Sequence, residues 1–371
     1  MNAERFHAIA RTLKGELSER NVVERLQHLF NALQGISQTS NASTQGNLAG
    51  SLEAFYKEVT DTTSDSFTPT WRQVLVEIGG EELFGKNLKQ QVQEILANNQ
   101  MTPVVAYQQI QPILTRLRAF EDSLNKVVLA FENFKIGFEE LRPGEAEIAL
   151  LIPRAAVENK LGGFANELKE MEFILNTFSE VATGHQDDLK IRTMSSSGLL
   201  VFLAAPPVFA AAIAKAVDLV VGAYKKILDI KKLELEIKRL EMPEEISEKT
   251  KEYANTRMAA AIETFTVEII KQYPVTDKER KHELTNAVTI SLNRIANRID
   301  HGFNFEVRIE PLTAPPTDGD EGVTQAVQVI RAASDNIQYM KLEGPPILAL
   351  PEETGSATEG DGKTKKRGGP K

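Results

Sequence analysis

The sequence predicts a mainly α-helical chain with a small α+β part, in which long coiled-coil-like helices pack as a bundle around a small mixed sheet. Three observations lead there. An unbroken heptad pattern runs from Ile110 to Phe138. Two further segments repeat the same period. Between the periodic segments lie four short apolar or alternating stretches of the kind that form strands.

The elements follow in chain order. Residues 1–34 read as two helical segments, with Phe6, Ile9 and Leu13 on one face and Val22, Leu26, Leu29 and Leu33 on another. Residues 35–50 are rich in Ser, Thr, Asn, Gln and Gly and read as a flexible linker, because such a stretch has little apolar area to offset its ordering entropy. A short helix is expected over 51–60. Another starts near Thr68-Pro69-Thr70-Trp71, and a third carries Leu83, Leu88, Val92 and Ile95. Thr102-Pro103 has the form of an N-cap followed by proline at the first helical position.

The clearest signal is the seam Ile110, Ile113, Leu117, Phe120, Leu124, Val127, Phe131, Phe134 and Phe138, with spacings alternating between three and four. It predicts a helix of about 45 Å at 1.5 Å per residue, beginning near Pro112 and stopped by Pro143-Gly144. Leu161, Phe164, Leu168, Met171, Leu175, Phe178 and Ala182 form a second seam. Ile213, Val217, Val220, Tyr224 and Ile227 form a third, continued through Ile230, Leu233, Ile237 and Leu240 after a local slip in the heptad. Lys231, Lys232, Glu234 and Glu236 are placed on its solvent side. Pro243 opens a helix with Met258, Ile262, Phe265 and Ile269 inward, ended by Pro274. Thr276 and Glu279 have capping-box spacing before a helix carrying Leu284, Val288, Leu292, Ile295 and Ile299.

The strand candidates are 147–152, 188–193, 199–203 and 303–309, the last alternating Phe303, Phe305, Val307 and Ile309 with polar residues. A last short helix is expected over 323–341. The domain organisation that results is an N-terminal helical region (1–100), the long heptad helix (103–142), an α+β and helical-bundle domain (143–350) and a disordered tail (351–371).

Composition narrows function by exclusion. At 42% hydrophobic and 26% charged, the chain resembles a globular protein and not a disordered one. The net charge of −9 argues against nucleic acid as a partner, since that affinity comes from clustered Lys and Arg releasing counterions. With no cysteine, disulfides, thiol catalysis and cysteine-based zinc sites are excluded. Met1-Asn2-Ala3-Glu4-Arg5 leads into polar helical sequence without an apolar signal stretch, so a cytoplasmic location is expected.

No catalytic motif is legible: H-E-x-x-H, G-x-S-x-G and G-x-G-x-x-G are all absent. Gly362-Lys363-Thr364 ends like a phosphate-binding loop, but Ala357 stands where the first glycine belongs. His185, Asp187 and Asp188 read as a solvated turn. Ser195-Ser196-Ser197-Gly198 reads as a strand connection, and the five basic residues within 363–371 as a solubilising tail.

The expectation is therefore a non-enzymatic interaction or scaffold protein without a cofactor. It binds itself or another helical protein through the seam Ile110 to Phe138, unless three such seams satisfy one another within the chain. The alternative is a membrane-associating or membrane-perturbing protein acting through segment 198–224, with Leu199, Val201, Phe202 and Phe209 as the contact residues.

Overall fold

The architecture comes from a computed structural model that describes residues 3–138, 141–195, 199–272, 278–312, 320–337, 340 and 342–353, with the side chains of 278, 279 and 335 excluded. Among these, twelve α-helices accompany one four-stranded sheet. The chain divides into two compact units. Unit 1 comprises 1–159, 188–218 and 303–341; unit 2 comprises 160–187, 219–302 and 342–371.

In unit 1, α1 (Ala3–Glu19), α2 (Val22–Gln38), α3 (Ala42–Glu58) and α6 (Pro103–Asn133) pack together, with α4 (Pro69–Glu77) and α5 (Gly85–Asn98) nearby. Their shared core contains Ile9, Leu13, Leu26, Leu29, Phe55, Leu88, Ile110 and Leu117. The stretch 35–50, expected to be a linker, is helical except at 39–41. Asn41 accepts from the Thr44 backbone N–H while Thr44 Oγ1 accepts from the Asn41 N–H, so a capping box starts α3 inside the polar stretch. Phe55 then anchors it to the core.

The sheet has the order β2-β3-β1-β4, formed by β1 (Ala146–Ile152), β2 (Lys190–Ser195), β3 (Leu199–Ala205) and β4 (Asn304–Ile309). Every pairing is antiparallel, not mixed. β1 and β2, which flank α7 (Leu161–Thr183) in sequence, lie on either side of β3, so they form no parallel pair. The register sets Ile148 beside Leu203 and Val307 on one apolar face. Glu147 lies beside Arg308, and Ala149 beside Phe202 and Glu306, on the other. α12 (Glu321–Asn336) packs on β4.

α8 (Pro207–Lys225) begins in unit 1 and ends in unit 2. Unit 2 continues with α9 (Leu228–Arg239), α10 (Glu244–Gln272) and α11 (Lys278–Asp300), and α11 packs against both α7 and α10. At the heptad slip the helix breaks between Lys225 and Leu228, and α9 turns a different face inward from the one the period implied. Lys231, Glu234 and Ile237 are buried, whereas Leu233 and Leu240 are exposed. Thr276, Pro274 and the side chain of Glu279 lie outside the described residues, but Leu284, Val288, Leu292, Ile295 and Ile299 of α11 are buried as the period requires.

Candidate peptide-binding groove

A dense set of polar contacts in unit 2 does not involve the Ile110–Phe138 seam. It lies where α10 and α11 receive the non-helical segment Ile347–Glu352. Pro346 and Pro351 bias the residues before them away from helix, and among the described residues no strand pairs with this stretch. An extended segment without a neighbouring strand leaves its N–H and C=O groups unsatisfied, which is costly where they are buried. Here helix side chains take the place of the missing strand.

Asn293, Asn297 and Asp300 stand at i, i+4 and i+7 on α11 and so share one stripe. Asp300 Oδ2 accepts from the N–H groups of Ile347 (2.5 Å) and Leu348 (2.7 Å). Asn255 of α10 accepts from the Ala349 N–H at 2.7 Å and donates to the Ile347 carbonyl at 3.1 Å. Asn297 accepts from the Leu350 N–H and donates to the Leu350 carbonyl, both at 3.0 Å. Asn293 donates to the Pro351 carbonyl at 2.8 Å. Four successive N–H groups are thus met, and the next residue, proline, has none. A primary amide carries donor and acceptor together, as a peptide group does, so asparagine can stand in for a strand.

The far end is read by charge. Arg294 donates to the Glu352 carbonyl at 2.9 Å, and Arg298 reaches both carboxylate oxygens of Glu352 at 3.2 and 3.3 Å. α7 orients both guanidiniums: Glu170 lies 2.8 Å from Arg294, Glu167 lies 2.9 Å from Arg298, and Phe173 sits beneath Arg294. Ile347, Leu348 and Leu350 are buried while Ala349 is exposed. Each buried aliphatic side chain contributes about 1.5–3 kcal/mol. Leaving one main-chain group unmet costs about 1–3 kcal/mol. The side chains supply affinity, and the polar ladder fixes register and direction.

Asp300 can do this because its charge is compensated from below. Its Oδ1 accepts from Tyr224 Oη at 2.5 Å and Lys231 Nζ at 2.6 Å, and its side chain is wholly inaccessible. Burial, with the Asp300 charge second, pushes the Tyr224 phenol far above its ordinary range, so it stays protonated as a donor. Gly344, at φ +79°, begins the seated stretch; a Cβ there would run into Leu235 of α9.

Sequence reasoning did not find this groove. It placed Lys231 on the solvent side and counted only the apolar stripe of α11. Residues 351 and 352, expected in the disordered tail, are held by α11, and 354–371 fall outside the described residues. Two signals were present. One is the apolar run Ile347-Leu348-Ala349-Leu350 bracketed by prolines. The other is the asparagine pair in a helix interior, where Asn is a poor helix former.

The residues singled out from sequence lie elsewhere. In the seam, Ile110, Ile113, Leu117 and Leu124 are buried in the unit 1 core, on the helix that packs against α1 and α2. Phe120, Val127 and Phe138 are partly buried against it, and Phe131 stacks on His7. Phe134 is 77% exposed, because α6 ends at Asn133. Most of the seam is thus closed within the chain instead of being presented to a partner. Pro112, expected near the helix start, lies inside α6.

Among the membrane candidates, Leu199, Val201 and Phe202 form part of β3, and Arg5 covers the Phe202 ring at 3.5 Å. Val201, Phe202 and Phe209 are buried, and Leu199 is half-buried. α8 is long and apolar enough to cross a membrane, yet 67% of its most apolar stretch is buried. Asp187 pairs with His185 at 3.0 Å and accepts from Ser179, closing the turn after α7. Among the described residues no three metal-ligating side chains converge. Residues 196–198 and 362–371 lie outside the described residues. Comparison with protein families, curated proteins and solved structures finds no match to this chain.

Proposed function

We propose that the chain is a non-enzymatic interaction protein whose working surface is the groove on α10 and α11, and that its ligand is an extended polypeptide segment gripped by the main chain. One observation carries the reading: the N–H groups of residues 347–350 are each accepted by a helix side chain, from Asp300, Asn255 or Asn297. Extended peptides docked on a sheet edge owe affinity to main-chain hydrogen bonds and specificity to alternate side-chain pockets. This groove offers the same two elements from helices. Interaction through the Ile110–Phe138 seam has less support, since its central residues already belong to a core. A membrane role would require Val201, Phe202 and Phe209 to leave theirs.

The test is a titration of a labelled peptide spanning residues 345–353 into the full-length Leu350→Asp variant, whose own segment carries a charge where Leu350 is buried. Saturable binding, weaker to the unmodified chain and absent for a scrambled peptide, is the expected result. A variant that keeps its helical content and binds nothing would overturn the reading.

A further inference from the structure

In the helical part of unit 1, α2 and α3 pack along each other and leave a cavity of about 300 Å³ between them. Arg25 and His28 of α2 line one side, and Gly46, Asn47, Gly50 and Ser51 of α3 line the other. None of the lining residues is acidic. We infer that this cavity binds the oxyanion group of a small molecule, a phosphate or a carboxylate. Arg25 supplies the charge, and His28, Asn47 and Ser51 supply further hydrogen bonds. The site lies in unit 1 and does not depend on the groove of unit 2.

Arg25 differs from its neighbours in having nothing to hold. The other arginines of α1–α6 each have a partner within the chain. Arg5 pairs with Glu147, Arg11 lies over the Phe138 ring, and Arg20 and Arg72 donate to main-chain carbonyls. Arg116 pairs with Glu82, and Arg118 donates to Gln27. The half-buried Arg25 guanidinium has no hydrogen-bond or ion-pair partner among the described residues. Glu24 lies 3.7 Å from His28 Nε2 and forms no ion pair with Arg25. A guanidinium taken partly out of water favours an anion, and its planar fork matches two oxygens of a phosphate or carboxylate.

The glycines make the room. Gly46 and Gly50 stand four residues apart inside α3 and so share one stripe. Glycine inside a helix is destabilising relative to alanine. Close packing is the usual reason to keep it there, but a methyl group at either position would meet nothing within 4 Å. The contact of α3 with α2 therefore does not require these glycines, whereas the cavity does. Its volume is at the small end of the range for ligand sites, about 300–1,000 Å³, which suits a small molecule and not a helix or an extended peptide.

The test uses the full-length chain with isotope-labelled glycine, so that the Gly46 and Gly50 amides report on the cavity by nuclear magnetic resonance. Inorganic phosphate and acetate are titrated separately, with sodium chloride at matched ionic strength as the control. Saturable shifts of both amides with phosphate or acetate, absent with chloride, are expected. The ion that saturates at the lower concentration identifies the group that the site takes. Arg25→Gln should keep the melting temperature, because the side chain bonds to nothing within the chain, and should weaken binding by roughly tenfold or more. No saturable shift with either ion, or equal binding in Arg25→Gln, overturns the inference.

Gly50→Ala separates a ligand site from an incidental gap. Its melting temperature should rise, since the methyl group enters open space and the helix gains, while binding of the preferred ion weakens because the cavity is narrowed. A rise in melting temperature with binding unchanged would show that the space beside Gly50 is not the site, and overturns the inference.

Discussion

Asp300 accepts four hydrogen bonds with no solvent access, and its carboxylate joins the interior of unit 2 to the seated segment. Replacing it with asparagine leaves the Lys231 charge buried without its counterion and turns an NH2 donor either toward the two N–H groups or toward Tyr224 and Lys231. Breaking a buried pair at one partner costs about 3–5 kcal/mol, so Asp300→Asn should lose that much unfolding free energy in urea denaturation. A loss below about 1 kcal/mol would contradict the role given to this carboxylate. The residue was not legible in advance. A lysine in a charged helix is ordinarily solvated, and only the fold brings Lys231 and Asp300, 69 positions apart, into contact. Arg5, Arg308 and Glu147, which meet on the polar face of the sheet, escaped notice for the same reason.

At the scale of elements, sequence periodicity was most informative where a helix is long and buried on one side. α5, α6, α10 and α11 stand close to where their apolar spacing put them, and four strands occupy the four stretches read as strands. Periodicity does not say what covers a stripe. The seam of α6 looks like a partner-binding surface in sequence and is mostly core in the fold. Leu117→Ala should therefore cost about 2–5 kcal/mol of stability, as for other buried leucines. Phe134→Ala, in the same heptad pattern but past the end of the helix, should change it by no more than about 0.5 kcal/mol. Thermal denaturation of the two variants checks this; equal losses would mean that the seam is not divided as described. Local chemistry also overrode composition in α3, where the Asn41–Thr44 capping box starts a helix in a stretch that reads as linker. At the slip after Ile227 the helix breaks instead of overwinding, and the face of α9 turned inward carries Lys231, paired with Asp300, and Glu234, bonded to Ser247.

For the whole molecule, the predicted class, mainly helical with a small sheet, is the one found. The parallel component expected of the sheet is absent because β3 separates β1 from β2. The division into two units was not readable from linker composition, since each unit is assembled from three separated stretches. Unit 2 is completed by a segment that returns after unit 1 is finished, and this topology exposes a groove-and-ligand relationship within one chain.

The central claim is that the groove reads the main chain. The most direct test compares the 345–353 peptide with versions in which the amide N–H of Leu348 or Leu350 is replaced by an ester oxygen, leaving every side chain in place. A hydrogen bond to a charged group is worth about 1.5–3 kcal/mol and one between neutral groups about 0.5–1.5 kcal/mol, and 1.4 kcal/mol is tenfold in affinity. Binding to the Leu350→Asp chain should therefore weaken by roughly tenfold or more for the Leu348 ester, whose partner is Asp300, and by less for the Leu350 ester, whose partner is Asn297. Esters that bind as tightly as the parent peptide would show that apolar burial alone holds the segment, and would contradict recognition through the polypeptide backbone.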